Sequence, residues 1–215
     1  YYDTADIGKF PTRLPPISKR PHLTDLNEAI TYKDISEQLD DLNLGVYAPS
    51  DYILPSRRYK YEIDKDGKGG HLGMSGREKG LKKLMAINLL KRLESSVNSF
   101  RLTLNRMKEQ VDETLKAIMT YMETKQDIRI STQTLDSMFD SEDSENDFLV
   151  GGKKTRVMLA DMDCRSWKRD LLHDQEILGL LLTMLEDITP EHDSKLQMLI
   201  ENLRQKFANP INGDN

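Results

Sequence analysis

The stretch that decides the fold is Ser75–Lys125, SGREKGLKKLMAINLLKRLESSVNSFRLTLNRMKEQVDETLKAIMTYMETK. Leu90, Leu93, Val97, Phe100, Leu104, Met107 and Val111 recur in it at alternating spacings of three and four, which places them on one stripe of a helix close to a heptad seam. Leu115, Ile118 and Met122 continue the stripe, and the four-residue step from Val111 to Leu115 is a stutter at which strict supercoiling relaxes. No Pro or Gly follows Gly80, so the spacing predicts one uninterrupted helix of about 45 residues, roughly 65–70 Å long. Its stripe needs covering along most of that length, because propensity alone leaves a helix marginal in water.

A cover is available further along. In KKTRVMLADMDCRSWKRDLLHDQEILGLLLTMLEDI, read as helix throughout, Trp167, Leu171, Asp174, Ile177, Leu178, Leu181, Met184, Leu185 and Ile188 form a second stripe, with Trp167 as a core or domain-contact anchor. Thr189 and Pro190 read as cap and first residue of a last helix, whose Leu196, Leu199, Ile200 and Leu203 share a face. Thr31 caps a short helix with Ile35, Leu39 and Leu42 on one side, closed by Gly45. The fold class expected is all-α, an elongated antiparallel bundle around the long helix. Residues 1–74 read as a Pro-rich strap, short helix and Gly-rich hinge, 75–130 as the central helix, 131–153 as an acidic solvated loop and 154–215 as two packing helices. VYAPSDYILPSRRYKYEID, cut by Pro49 and Pro55, reads as an ordered loop or docking segment.

Composition narrows the class. The 215 residues are 37% hydrophobic and 31% charged with a net charge of −5, which suits an elongated helical protein and argues against coating nucleic acid through bulk charge. Cys164 is the single cysteine, so no disulfide framework or thiolate cluster is expected, and a soluble protein of the reducing cytoplasm without a membrane partner is the natural reading. The chain starts without Met and ends in a turn-like NPINGDN, which reads as a segment of something longer.

Local chemistry is sparse. DKDGKGGHLGMSG places Lys68 where a calcium loop needs an oxygen ligand and Ser75 where it needs a bidentate Glu, and its glycines lack the spacing of a phosphate loop. His22, His71, His173 and His192 form no metal-binding pair, and His173 reads as a hydrogen-bonded structural residue. Asp140, Glu142, Asp143, Glu145 and Asp147 lie among polar residues and read as solvated. Neither a serine elbow nor a Cys/His pair points to a nucleophile, so the segment by itself reads as no enzyme, with no cofactor of its own. What is left is the cationic half of the long helix, Lys79, Lys82, Lys83, Lys91, Arg92, Arg101 and Arg106, with Ser95, Ser96 and Ser99 between. It reads either as a DNA-backbone contact or as a solvated face with intrahelical pairs such as Lys108 with Asp112.

At LLKRLESSVNSFRLTL, Leu89–Leu104, the chain resembles the large bacterial superfamily-two helicases of the Swi/Snf type. FPTRLPPI (10–17), LNLGVYAPSDYILPSRR (42–58) and ITPEHDSKLQMLIENL (188–203) resemble the same family in the same order, and residues 127–152 do so least. The resemblance implies a helical region between two RecA-like motor lobes, leading into the second, in a parent that uses ATP and Mg²⁺. Phosphate loop, acidic Mg²⁺-binding box and arginine finger are missing from this sequence, so no ATP-handling residue is carried over. The matching run, Lys91, Arg92, Glu94, Ser95, Ser96 and Arg101, is expected to contact the motor lobes or the DNA track. The alternative from another class is a helical scaffold or coiled-coil module without nucleic-acid binding, which would associate through the Leu90–Val111 seam.

Overall fold

The computed structural model describes residues 15–25, 30–61, 74–126, 128–131 and 156–209. Five α-helices dominate them: α1 (Tyr32–Asp40), α2 (Met74–Ser95), α3 (Val97–Thr124), α4 (Cys164–Met184) and α5 (Ser194–Ala208). A small antiparallel sheet joins β1 (Arg129–Ser131) to β2 (Arg156–Met158). The fold is the all-α bundle expected, with α3 and α4 packed along each other at its centre.

The long helix is two helices. Ser96 is extended, with φ −157° and ψ 125°, and its hydroxyl accepts from the Ser99 amide at 3.3 Å as an N-cap. The physical reason is local. A serine side chain that satisfies a free amide offers the backbone an alternative to continuing the helix. The break leaves few backbone groups unpaired, since the Ser96 amide donates to Arg92 at 2.8 Å and the Phe100 amide to Ser96 at 3.0 Å. Beyond the corner, α3 runs 28 residues, about 42 Å. It ends at Lys125, whose φ of 56° lets its amide close on the Tyr121 carbonyl at 2.8 Å.

The seam survives the break, shifted at its start. Met85, Leu89 and Leu93 of α2 are buried, while Leu90 is half-buried at the edge. Val97, Phe100, Leu104, Met107, Val111, Leu115 and Ile118 of α3 are all buried. Thr114 takes the three-residue step at the stutter, and its hydroxyl donates to the Gln110 carbonyl at 2.8 Å, so the buried oxygen is satisfied. Against this surface α4 lays Trp167, Leu171, Leu178, Leu181 and, just beyond its end, Leu185.

Several expected boundaries move. Arg156–Met158 is strand where helix was expected, because Val157 buries its side chain opposite Ile130 and the pair closes a small apolar corner. Residues 129–131 are therefore sheet, not part of the long helix or of a solvated loop. The last helix starts at Ser194, not at Pro190. Thr189 donates its hydroxyl to Glu191, and Asp193 is the cap, accepting from the amides of Lys195 and Leu196 at 3.1 and 2.9 Å. Thr31 does cap α1, in a capping box with Asp34. Gly45 does not end that helix, which stops at Asp40; a Cβ there would sit 3.1 Å from the Tyr52 hydroxyl and 3.4 Å from Leu171. Close approach is what favours glycine at 45, since a Cβ would press on the Tyr52 hydroxyl. Most of the hinge at 64–76 and residues 132–153 of the acidic loop lie outside the described residues, but Met74–Gly76 already belong to α2.

The segment between α1 and α2 is ordered against the bundle. Two 3₁₀ turns, Pro49–Tyr52 and Pro55–Lys60, run across the start of α4, with the Leu54 amide on the Asp161 carbonyl at 2.9 Å and the Asp163 amide on Tyr52 at 2.7 Å.

Candidate functional site at the Ser96 corner

The run from Lys91 to Arg101 crosses the corner between α2 and α3, and its residues divide by role. Lys91, Glu94 and Ser95 face solvent. Ser96 is the cap, and Arg92 is half-buried. Arg101 reaches the opposite way. Its guanidinium donates to the Leu185 carbonyl at 2.5 Å and the Ile188 carbonyl at 2.7 Å, at the last turn of α4 and just past it. A cation there meets the negative end of the helix dipole and satisfies carbonyls the helix leaves over. Its Nε, buried without a hydrogen-bond partner, marks how tightly the side chain is enclosed. Across the same corner, the Lys195 ammonium donates to the Glu94 carbonyl, tying the start of α5 to the end of α2.

The other cations of the expected basic half also divide. Lys82 pairs with Asp51 at 3.0 Å and Lys108 with Asp112 at 2.9 Å, the latter as expected from its i,i+4 spacing. Arg106 lies on the exposed surface of α3. Lys79, Lys83 and Lys91 are exposed on α2 and form no ion pair among the described residues.

Sequence reading placed Asp174 on the apolar stripe and missed the other buried carboxylates, Asp161 and Glu78. Asp174 is nearly inaccessible and accepts from the amides of Asn43 at 2.6 Å and Gly45 at 2.9 Å, closing the loop after α1 onto α4. Burial pushes its carboxyl up, against the lowering effect of those amides. Its signal was present, since an acid on an apolar stripe needs donors from elsewhere. Asp161, equally buried, gathers Lys60 at 2.7 Å, the Tyr61 hydroxyl at 2.9 Å and Arg57 at 3.5 Å. Burial raises its carboxyl, and these partners outweigh that and hold it below its ordinary value.

Glu78, on the first turns of α2, takes the Ser50 amide at 2.9 Å and the Ser50 hydroxyl on one oxygen, while its other oxygen is buried without a partner. Burial pushes this carboxyl up, so it holds its proton more firmly folded than unfolded. Stability from such a group is intact below the unfolded value and is lost as pH climbs through the folded one. Glu78→Gln is therefore expected to stabilise the protein by about 1 kcal/mol at pH 8 and to change it little at pH 4, measured by urea denaturation at both. Equal effects at the two pH values would rule out a buried ionisation as the cause.

His173 makes a hydrogen bond to the Asp41 carbonyl at 3.2 Å and His192 one to Asp25 at 2.9 Å. Among the described residues no cluster of His, Cys, Asp or Glu is placed to hold a metal, and no helix is long and apolar enough to cross a membrane. Comparison of the chain with protein-family models, with curated proteins and with solved structures found no match.

Proposed function

We propose that this chain is a helical accessory segment of an ATP-dependent DNA helicase or translocase, lying between its motor lobes, coupling their motion and touching the DNA backbone. The observation that carries the reading is that the α3 seam is covered within the chain by α4 and locked by Arg101. A scaffold that associates through Leu90–Val111 needs that seam open; a brace needs it shut. The four stretches that resemble Swi/Snf-type helicases supply the rest of the support, and ATP and Mg²⁺ belong to the parent.

The mechanism follows from stiffness. Two helices packed over most of 28 and 21 residues move as one body, so a displacement imposed at one end reaches the other with little loss. The break at Ser96 separates α2 from α3, and Lys79, Lys83 and Lys91 on the exposed face of α2 supply an electrostatic contact to phosphates without base readout. Lys91, Arg92, Glu94, Ser95 and Ser96 sit where a lobe or the track would meet the corner.

Anisotropy of labelled duplex and single-stranded DNA titrated with the protein tests the contact. Affinity is expected to fall steeply with salt, and Lys83→Glu with Lys91→Glu to flatten the log–log slope by about 2 while the fold persists. Absence of binding at low salt would remove the DNA contact and leave the brace between lobes.

A further inference from the structure

The helix α5 has no buried residue over its whole length, although its sequence is amphipathic. Leu196, Leu199, Ile200 and Leu203 occupy positions i, i+3, i+4 and i+7 of one face. Leu199 is 54% and Leu203 46% exposed. Leu196 and Ile200 are half-buried, and polar contacts hold α5 to the body. Asp193 caps it and bridges to Thr24, the Lys19 ammonium donates to Asn202 at 3.0 Å, and the Gln197 side chain donates to the Pro190 carbonyl at 2.8 Å. An exposed apolar stripe on a helix pinned by its polar side is the reverse of the usual arrangement, in which the apolar face is what packing covers.

The charges beside the stripe specify what fits it. At 100° per residue, Lys206 borders the Leu199 edge of the face and Arg204 the Ile200 edge, while Glu201 is turned to the back, where Gln205 donates to it at 2.8 Å. Both rims are cationic. A second copy of α5 laid antiparallel would set Lys206 against its own counterpart's rim, and like charges facing across a seam disfavour it. One face of a helix of about four turns also buries well under the roughly 800 Å² per partner of a stable standard interface. It suits one contact among several on a larger surface.

We propose that the Leu196–Leu203 face of α5 docks into an apolar groove rimmed by carboxylates on a protein partner. Arg204 and Lys206 set the charge of that groove and the leucines set its register. This does not depend on the nucleic-acid reading, and its test contains no DNA.

The probe is a labelled three-heptad peptide with Leu at a and d and Glu at e and g, whose own flanks repel and keep it single. Its control carries Lys at e and g. Anisotropy with the full chain is expected to show binding of the Glu peptide that weakens with salt, and at least about tenfold weaker binding of the Lys peptide. Leu199→Glu with Leu203→Glu is expected to cut Glu-peptide affinity at least about tenfold with an unchanged melting temperature, since both side chains are already exposed. Arg204→Glu with Lys206→Glu is expected to invert the preference between peptides. Equal binding of both peptides, no inversion, or no binding of the Glu peptide up to about 1 mM would overturn the proposal. So would a dimer in sedimentation equilibrium that the double leucine variant abolishes, which assigns the face to a second copy. Preferential binding of anionic vesicles lost in that variant would assign it to lipid and overturn the proposal equally.

Discussion

Trp167→Ala is expected to lower the unfolding free energy by about 4 kcal/mol, a large share of the roughly 5–15 kcal/mol typical of a domain. Trp167 is fully buried, stacks on Tyr52 with ring centroids 5.7 Å apart and planes 17° from parallel, and donates its indole N–H to the Gly45 carbonyl at 3.0 Å. Truncation opens a cavity and leaves that carbonyl without its donor, so transfer, cavity and hydrogen-bond losses add. It also loosens the loop that Asp174 clamps from the next turns of α4. Urea denaturation followed by circular dichroism is the measurement, because the chain has one Trp and the variant loses its fluorescence. Trp167→Phe keeps a ring against Tyr52 and is expected to cost about 1–2 kcal/mol through the lost hydrogen bond and the smaller volume. A loss under about 1 kcal/mol for the alanine variant would mean that the α4 start is not held as described.

Arg101→Ala is expected to cost about 2–3 kcal/mol, since it removes charged donors from two carbonyls at the end of α4. Arg101→Lys recovers part of that, because an ammonium brings charge but not the planar fork that spans both carbonyls. Lys91→Ala, exposed at the same corner, is expected to change stability by less than about 0.5 kcal/mol. The contrast separates two roles within one run. Should Arg101→Ala leave stability intact while weakening DNA binding, the guanidinium would belong to the track and not to the clamp. Reversing its charge sets a carboxylate against those carbonyls, so a loss of DNA binding by Arg101→Glu would report on folding as much as on contact.

Legibility differed from element to element for physical reasons. Periodicity is written locally, and the stripe from Leu93 to Ile118 was readable because every member repeats the same geometric demand. The break at Ser96 was less so. Its signal, a serine able to accept from the backbone amide three residues on, competes with a good helical context, and the two outcomes differ by about the 1 kcal/mol of a cap. Trp167, Asp174 and the Thr31 cap were each visible in one sequence window. The β1–β2 pairing was not, since two three-residue strands have no pattern until Ile130 and Val157 find each other across a long connection. For the candidate site, the sequence marked which residues resemble a known run but not which way they face.

The sequence by itself determined an all-α bundle with a seam on α3, a matching stripe on α4 and an amphipathic last helix, because those follow from side-chain spacing along one helix. Only the tertiary structure decided that Arg101 turns inward to hold the end of α4, that Glu78 and Asp161 are buried, and that Leu199 and Leu203 of α5 are left exposed. Each of these depends on which surfaces meet in space, and free energies of contact between distant segments, not local propensities, settle that.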